Sequence, residues 1–357
     1  MNEVLIVGAG ISGMTAAINC ARQGYEVRVL EKYKKVGGLS YTRPAIDISP
    51  MNPKELGAFS GLKIDAPQVT PTKDFVMNIY GKRYVLRAEK FQLYSVERGE
   101  RPSALDTYLY EIAKKEGVKF EFGHEIKRKN YSDLPPRTII ATGLNSELFK
   151  VMDIPFENLY GYVGRGTQKE PARLIGWFDH STRDYNYYAS SNGVSFALCF
   201  DRKPVNRHIR ERFEALLAKE EIALSAWDEH RGVVPIKSPQ NPCFLKDGKI
   251  LAGTFAGVQD PILLFGVHGA LLSGKIAANA VSDREKALEV FESVTAYFKY
   301  AWLIKKIILD IPPHPLRKRI VQCLMGMWAG YPEIMKSSID FTMGTIPGFN
   351  SLRKGEL

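Results

Sequence analysis

The chain has 357 residues, of which 45% are hydrophobic and 25% charged; these proportions exclude a disordered or fibrous protein and suit two domains, or one with an insertion. A net charge of +10 invites a nucleic-acid partner, but no motif that reads bases accompanies it, so no nucleic acid is expected. Cys20, Cys199, Cys243 and Cys323 are scattered without disulfide or zinc-ligand spacing, which fits a reducing, cytoplasmic location and no metal. No run reaches 18 uninterrupted apolar residues, so a membrane-spanning helix is not expected.

Residues 3–8 (EVLIVG) read as a β-strand, followed by Gly8-Ala9-Gly10-Ile11-Ser12-Gly13 and a helical stretch to about Gln23. Gly24 ends the helix, and Tyr25 to Glu31 read as a second strand. A glycine pattern alone is weak. Here it follows a strand, opens a helix and leads to an acidic strand end, the β-turn-α-β arrangement of a dinucleotide site. Gly8 permits a tight turn, Gly10 lets a pyrophosphate approach the backbone, and Gly13 lets helix and strand pack closely. Free N–H groups in the first helical turn, Ile11 and Ser12 among them, face the phosphates. Glu31 would accept hydrogen bonds from ribose hydroxyls and repel a 2′-phosphate, which favours FAD or NAD over NADP.

Lys32 to Gly38 place a short basic stretch and a Gly-Gly pair directly after Glu31. This segment resembles the N-terminal signature of FAD-dependent oxidoreductases, with Lys32, Gly37 and Gly38 at the cofactor. Residues 40–100 read as strand-like pieces among prolines and turns, an antiparallel excursion. A helix from Ser103 to Lys115 and a strand from Gly117 to Phe122 then resume the nucleotide domain, setting Ile126 at the adenine. The buried strand ending Ala141-Thr142-Gly143 is similar to the second cofactor-contacting strand end of that superfamily. Residues 155–245, rich in aromatics and alternating patterns, are expected to form an antiparallel sheet with a helix from Val205 to Lys219 on one side.

Lys249 to Gly257 read as strand and turn, leading through Asp260-Pro261 to a helix opened by Gly266-Val267-His268-Gly269. This segment resembles the closing FAD motif of the geranylgeranyl reductase and p-hydroxybenzoate hydroxylase-like flavoproteins. The resemblance implies cofactor contacts at Gly253, Thr254, Gly266 and Val267, with the helix N-terminus at the flavin pyrimidine edge. Thr254 stands where the family has Asp, and Leu264-Phe265 where many reductases have Gly-Glu. His268, the one His inside a cofactor motif, is the candidate catalytic residue.

The expected fold is α/β: a Rossmann-like FAD-binding domain with a parallel sheet, an inserted antiparallel-sheet substrate domain and a C-terminal helical segment. The FAD domain is assigned to 1–45, 100–150 and 246–282, the substrate domain to 46–99 and 151–245, and the helical segment to 283–357. In that segment 11 Lys/Arg stand against 8 Asp/Glu. Its aromatics and lysines suit either a cap on the substrate domain or a helix lying peripherally on a membrane. The resemblance implies hydride transfer from flavin N5 to a carbon–carbon double bond of a hydrophobic, isoprenoid or lipid-like substrate. A flavin monooxygenase, a desaturase or amine oxidase-like dehydrogenase, and a flavin-binding sensor or scaffold are the alternatives. No second glycine-rich motif appears between 150 and 245, so an external electron donor is expected.

Overall fold

The computed structural model describes residues 3–38, 43–87, 92–168, 172–179, 182, 184–204, 206–235, 243–260 and 264–334. Pro261 and residues 335–357 of the expected helical segment lie outside them.

The chain opens with β1 (Glu3–Val7), α1 (Ile11–Arg22) and β2 (Glu26–Glu31). Val4, Ile6 and Val7 bury their side chains, and β1 pairs in parallel with β2, Val7 opposite Leu30. The excursion comprises β3 (Ala45–Pro50), α2 (Pro53–Ser60), β4 (Val69–Pro71), β5 (Asp74–Ile79), β6 (Lys82–Arg87) and β7 (Leu93–Arg98). The helix α2 departs from the expected run of strands and turns. Its signals are local: the Asn52 side chain accepts from the Glu55 N–H, Pro53 begins the helix, and Gly61 closes it at φ 69°.

α3 (Leu105–Lys115), β8 (Lys119–Phe122), β9 (Ile139–Ile140) and α4 (Ser146–Val151) complete the first half. Then follow β10 (Phe156–Thr167), β11 (Arg173–Phe178), β12 (Asn186–Ser191), β13 (Val194–Asp201), α5 (Arg207–Ala218) and β14 (Ala226–Pro235). β15 (Leu245–Lys246), β16 (Lys249–Leu251), α6 (Val267–Ser282), α7 (Arg284–Lys305), a π turn over Lys306–Asp310 and α8 (His314–Gly330) close the described chain.

One sheet has the order β15-β16-β9-β1-β2-β8, parallel throughout except for the β15–β16 hairpin. α1 packs between this sheet and α6. The helices approach so closely that a Cβ on Gly274 would stand 2.5 Å from the Ser12 carbonyl oxygen. The second sheet has the order β14-β10-β13-β12-β11-β5-β6 and is antiparallel except where β11 runs parallel to β5. One face carries Trp177, Tyr188 and Cys199 against Phe213 and Leu217 of α5. Each such large side chain, fully buried, contributes about 1.5–3 kcal/mol. The opposite face, with Phe75, Tyr187 and Phe196, turns toward the nucleotide-binding half and, at its β5–β6 edge, meets α8. A three-stranded sheet, β3-β7-β4, stands between the two.

Candidate cofactor and substrate cleft

A cleft of about 580 Å³ runs from the β1–α1 turn to the inner face of the seven-stranded sheet. At its nucleotide end Gly8 has φ +104° and donates its N–H to the Leu30 carbonyl at 2.8 Å. A Cβ there would lie 2.5 Å from the Ala141 carbonyl oxygen, so the turn needs glycine. Gly10 caps α1 with φ −80°, no side chain caps the helix, and no acidic residue stands in its first turn. Among the described residues, no atom other than those of its chain neighbours lies within 4 Å of a Cβ built on Gly10. Its outward side therefore opens on the cleft, where the positive end of α1 and unused N–H groups favour a diphosphate.

Glu31, buried at the tip of β2, accepts the Ala9 N–H at 2.7 Å and the Tyr33 N–H at 3.0 Å. Each carboxylate oxygen keeps a further lone pair for a ribose hydroxyl. Lys32, Glu125 and Ile126 line the same end. Gly37 and Gly38 adopt φ +98° and +83°, and Gly37 comes so close to Gly99 that a Cβ would meet its carbonyl carbon at 2.7 Å. Thr142 brings to the wall a buried Oγ1 with no partner among the described residues. At the α6 end Gln259 leaves Oε1 without a partner among the described residues, while its Nε2 donates to the Leu264 carbonyl at 2.8 Å. Leu264 itself takes φ 59°, a left-handed conformation that costs a leucine about 1 kcal/mol or more. It thus keeps the backbone shape a glycine adopts freely. α6, like α1, starts with neither a side-chain cap nor an acidic first turn.

The substrate end is apolar. Val163, Leu198 and Tyr187 are register partners across β10, β13 and β12, and all three line the cleft with Phe196 and Phe200 beside them. Burial, then the nearby Asp260 and Asp47 respectively, pushes the Tyr185 and Tyr187 phenols well above their ordinary range, so both stay protonated at neutral pH. Burial and the charge of Arg43 lower His230, which is neutral there.

Residues 6–58 match the family described as NAD(P)-binding Rossmann-like domain. Lysine-specific histone demethylase 1 homolog 3 of Arabidopsis thaliana is 33% identical over 113 residues, 30% of this chain but only 7% of that protein's length. Solved structures align along most of the chain. A geranylgeranyl bacteriochlorophyll reductase-like protein of Thermoplasma acidophilum has a TM-score of 0.71 at 17% identity, covering 95% of this chain and 98% of that one. The p-nitrophenol 4-monooxygenase PnpA of Pseudomonas putida DLL-E4 has 0.66 at 15% identity, covering 97% and 99%. CtdE, solved in complex with FAD and a substrate, has 0.61 at 16% identity, covering 86% and 89%. The fold is that of these solved structures, one of which holds FAD. The cleft fits FAD, since its lining brings together the Gly8–Gly10 cradle, the acceptor Glu31 and the Thr142 and Gln259 oxygens that have no partner among the described residues.

Of the sequence-predicted site residues, Gly8, Gly10, Ile11, Ser12, Glu31, Lys32, Gly37, Gly38, Ile126, Ala141, Thr142, Gly143, Thr254, Gly266 and Val267 line this cleft. Gly13 and Gly253 do not. They are packing glycines: a Cβ on Gly13 would collide with the Gly8 carbonyl oxygen, and one on Gly253 with the Ser12 hydroxyl.

His268 is corrected as a catalytic candidate. It is buried outside the cleft lining, with Nδ1 3.3 Å from the Ser49 hydroxyl and its ring stacked 6.5 Å from Phe298 of α7. Val267 and Ala270 face the cleft, and one residue further along the helix from Val267 the side chain has turned by about 100°. Burial drops its pKa from 6.5 to about 4. Below pH 6.5 the unfolded chain binds a proton that the folded chain refuses, so stability falls as pH drops from about 6.5 to about 4. The full loss is about 3 kcal/mol. His268→Gln should flatten this part of the stability profile, read as the urea midpoint between pH 7 and pH 4.5.

The sequence reading missed Arg43. Its Nε donates to the Gly37 carbonyl at 2.8 Å and it lines the cleft, while burial and the neighbouring Arg98 lower its pKa. Arg98 is engaged elsewhere: it makes a two-pronged bond to Asp106 at 2.8 and 2.9 Å and reaches Asp47 at 2.8 Å. The guanidinium of Arg43 thus brings positive charge to the glycine-pair wall. Only the Arg43-Pro44 pair after the glycines hinted at it in the sequence.

Proposed function

We propose that the chain is an FAD-dependent oxidoreductase that reduces a carbon–carbon double bond in an apolar, isoprenoid or lipid-like substrate. The row Val163–Leu198–Tyr187 carries the reading, because it paves the far end of the cofactor cleft with apolar surface on three adjacent strands. The similarity of the whole fold to the geranylgeranyl bacteriochlorophyll reductase-like protein supports reduction as the direction.

When bound, FAD would supply hydride transfer at N5. The chain's own residues do the rest. The Gly8–Gly10 turn and the α1 N-terminus would hold the diphosphate, Glu31 would hold the ribose, and Arg43 would add a cation by the glycine pair. The uncapped α6 N-terminus, with Gly266 and Val267 in the cleft lining, would favour negative charge on a group bound beside it. The sheet floor orients an apolar chain and excludes water. The Tyr185 and Tyr187 hydroxyls each keep a proton on Oη at neutral pH and line the cleft as hydrogen-bond donors, while phenols pushed so far up are weak acids, which leaves the proton for the second carbon to water. We assign the source of electrons to an external donor, because no second nucleotide motif occurs between 150 and 245.

The monooxygenase reading is favoured by one observation, the alignment with p-nitrophenol 4-monooxygenase over 97% of the chain. Anaerobic photoreduction of the purified flavoprotein separates the two. The expected result is reoxidation on mixing with polyprenyl alkenes, with mass spectrometry showing two added hydrogens per double bond. Substrate-stimulated oxygen consumption with an oxygenated product would replace it with the monooxygenase. Protein that binds no flavin would overturn both.

A further inference from the structure

We propose that the substrate is a neutral unsaturated alcohol whose hydroxyl is held between the Asp47 carboxylate and the Tyr187 phenol, at one end of the apolar floor. The inference rests on the reading of the cleft as that of an alkene reductase, and it names the polar group the alkene carries.

Four carboxylates line the cleft among the described residues. Glu31 and Glu125 belong to the nucleotide end. Asp106 is buried and fully engaged, accepting from Arg98 at both oxygens and from the Gly99 N–H at 3.0 Å. Asp47, on β3, differs from all three. Its side chain is 32% exposed, and Arg98, which donates to Oδ2 at 2.8 Å, is its one hydrogen-bond partner among the described residues. The two-pronged bond to Asp106 fixes that arginine, so Asp47 is held in place while Oδ1 keeps its lone pairs for a donor from the cleft.

Tyr187, on β12, is only 7% exposed and lines the same cleft, yet its hydroxyl has no hydrogen-bond partner among the described residues. After burial, the strongest influence on this phenol is the Asp47 charge, followed by Tyr185, with Arg43 acting the other way. Its Oη therefore shares one space with Asp47 and Arg43. No hydrogen bond joins the carboxylate to the phenol, which leaves room between them for a third group.

The pair asks for a group that donates and accepts at once. A hydroxyl donates to Oδ1 and accepts from Tyr187. An ether or ketone oxygen accepts only and leaves the carboxylate without a donor. A carboxylate or phosphate group meets the Asp47 charge, and an ammonium meets Arg43. A bare hydrocarbon strips water from both polar groups and returns no bond. The register places the hydroxyl at the Tyr187 end of the floor, with the hydrocarbon running over Leu198 and Val163 on the neighbouring strands.

The test titrates the oxidised flavoprotein with a polyprenyl alcohol, its methyl ether and the carboxylic acid of the same chain length, following flavin absorbance. The alcohol should bind about tenfold tighter than the ether and about a hundredfold tighter than the acid at neutral pH. In D47N, Arg98 keeps the amide oxygen and the NH2 turns to the cleft, so the lead of alcohol over ether should vanish. Y187F removes a donor that both ligands use and should weaken both about tenfold while that lead persists. Circular dichroism and flavin content equal to the parent establish that each variant folds. Equal affinity of the parent for alcohol and ether, or tighter binding of the acid, overturns the inference and leaves the reductase reading in place. So does a lead unchanged in D47N, or full affinity in Y187F. A flavin-loaded parent that responds to none of the three ligands overturns the reductase reading and this inference with it.

Discussion

Gly10→Leu and Gly13→Ala should fail in opposite ways, although they sit three residues apart in one glycine motif. Gly10 already has φ −80°, and among the described residues a Cβ there meets no atom within 4 Å beyond its chain neighbours. Leucine should therefore leave the thermal midpoint nearly unchanged, at a cost of about 1 kcal/mol for a poorer N-cap. The added side chain projects into the space a diphosphate needs, so flavin absorbance should vanish from the purified protein. Gly13→Ala adds a single methyl group, yet it collides with the Gly8 carbonyl oxygen, and Gly8 is itself pressed against Ala141. Backbone on both sides leaves no flexible atom to give way, so the cost should be about 3 kcal/mol or more. Thermal melts and flavin spectra of the two variants read these outcomes separately. A Gly10→Leu protein that keeps its flavin would remove the diphosphate from the α1 N-terminus, and a Gly13→Ala protein of normal stability would contradict the packing role.

Lys305 offers the second large effect. Its ammonium lies 2.6 Å from Asp184, with side-chain exposures of 3% and 5%, and the next cation, Arg202, stands 3.6 Å from the other Asp184 oxygen. Lys305→Met would leave a buried carboxylate with only that partly exposed guanidinium, at an expected cost of about 3–5 kcal/mol in urea unfolding. Lys305→Met/Asp184→Leu removes both charges and should recover most of the loss, because desolvation of the pair offsets much of its attraction. The pair joins α7 to the residue preceding Tyr185 in the cleft wall. The single variant should accordingly raise KM for an apolar substrate, whereas the double variant should restore stability ahead of affinity. A neutral single variant would show that α7 is seated by apolar packing alone.

The nucleotide-binding half was legible because its signals are local. A strand, three glycines and an acidic strand tip lie within Glu3–Glu31, and each residue's role follows from a backbone that must turn or approach closely. α2 was equally local, with Asn52, Pro53, Glu55 and Gly61 marking both ends, but eight residues between prolines resemble a loop when periodicity alone is weighed. His268 shows what motif membership leaves undecided: the helix starts where expected, yet one residue's rotation separates Val267 in the cleft from an imidazole packed on Phe298. Arg43 had no local pattern, since its neighbour Arg98 and that residue's partner Asp106 come from distant parts of the chain. The sheet order was equally out of reach, because strand register between remote segments leaves no trace in either segment alone.

That order has a consequence for how the molecule is made. β5 and β6 leave the chain before the nucleotide-binding half is complete, and β11 arrives long afterwards to lie parallel to β5, Leu174 beside Phe75. This pairing closes a loop of about a hundred residues, whose entropy must be lost before the contact returns any energy. β5 therefore waits for β11 much as β1 waits for β9, whose pairing of Ile6 with Ile139 closes a still longer loop of about 130 residues. A ribosome-bound chain truncated before β11 would expose β5 as an unpaired edge, which places the greatest hazard of misassembly in synthesis rather than in the finished protein.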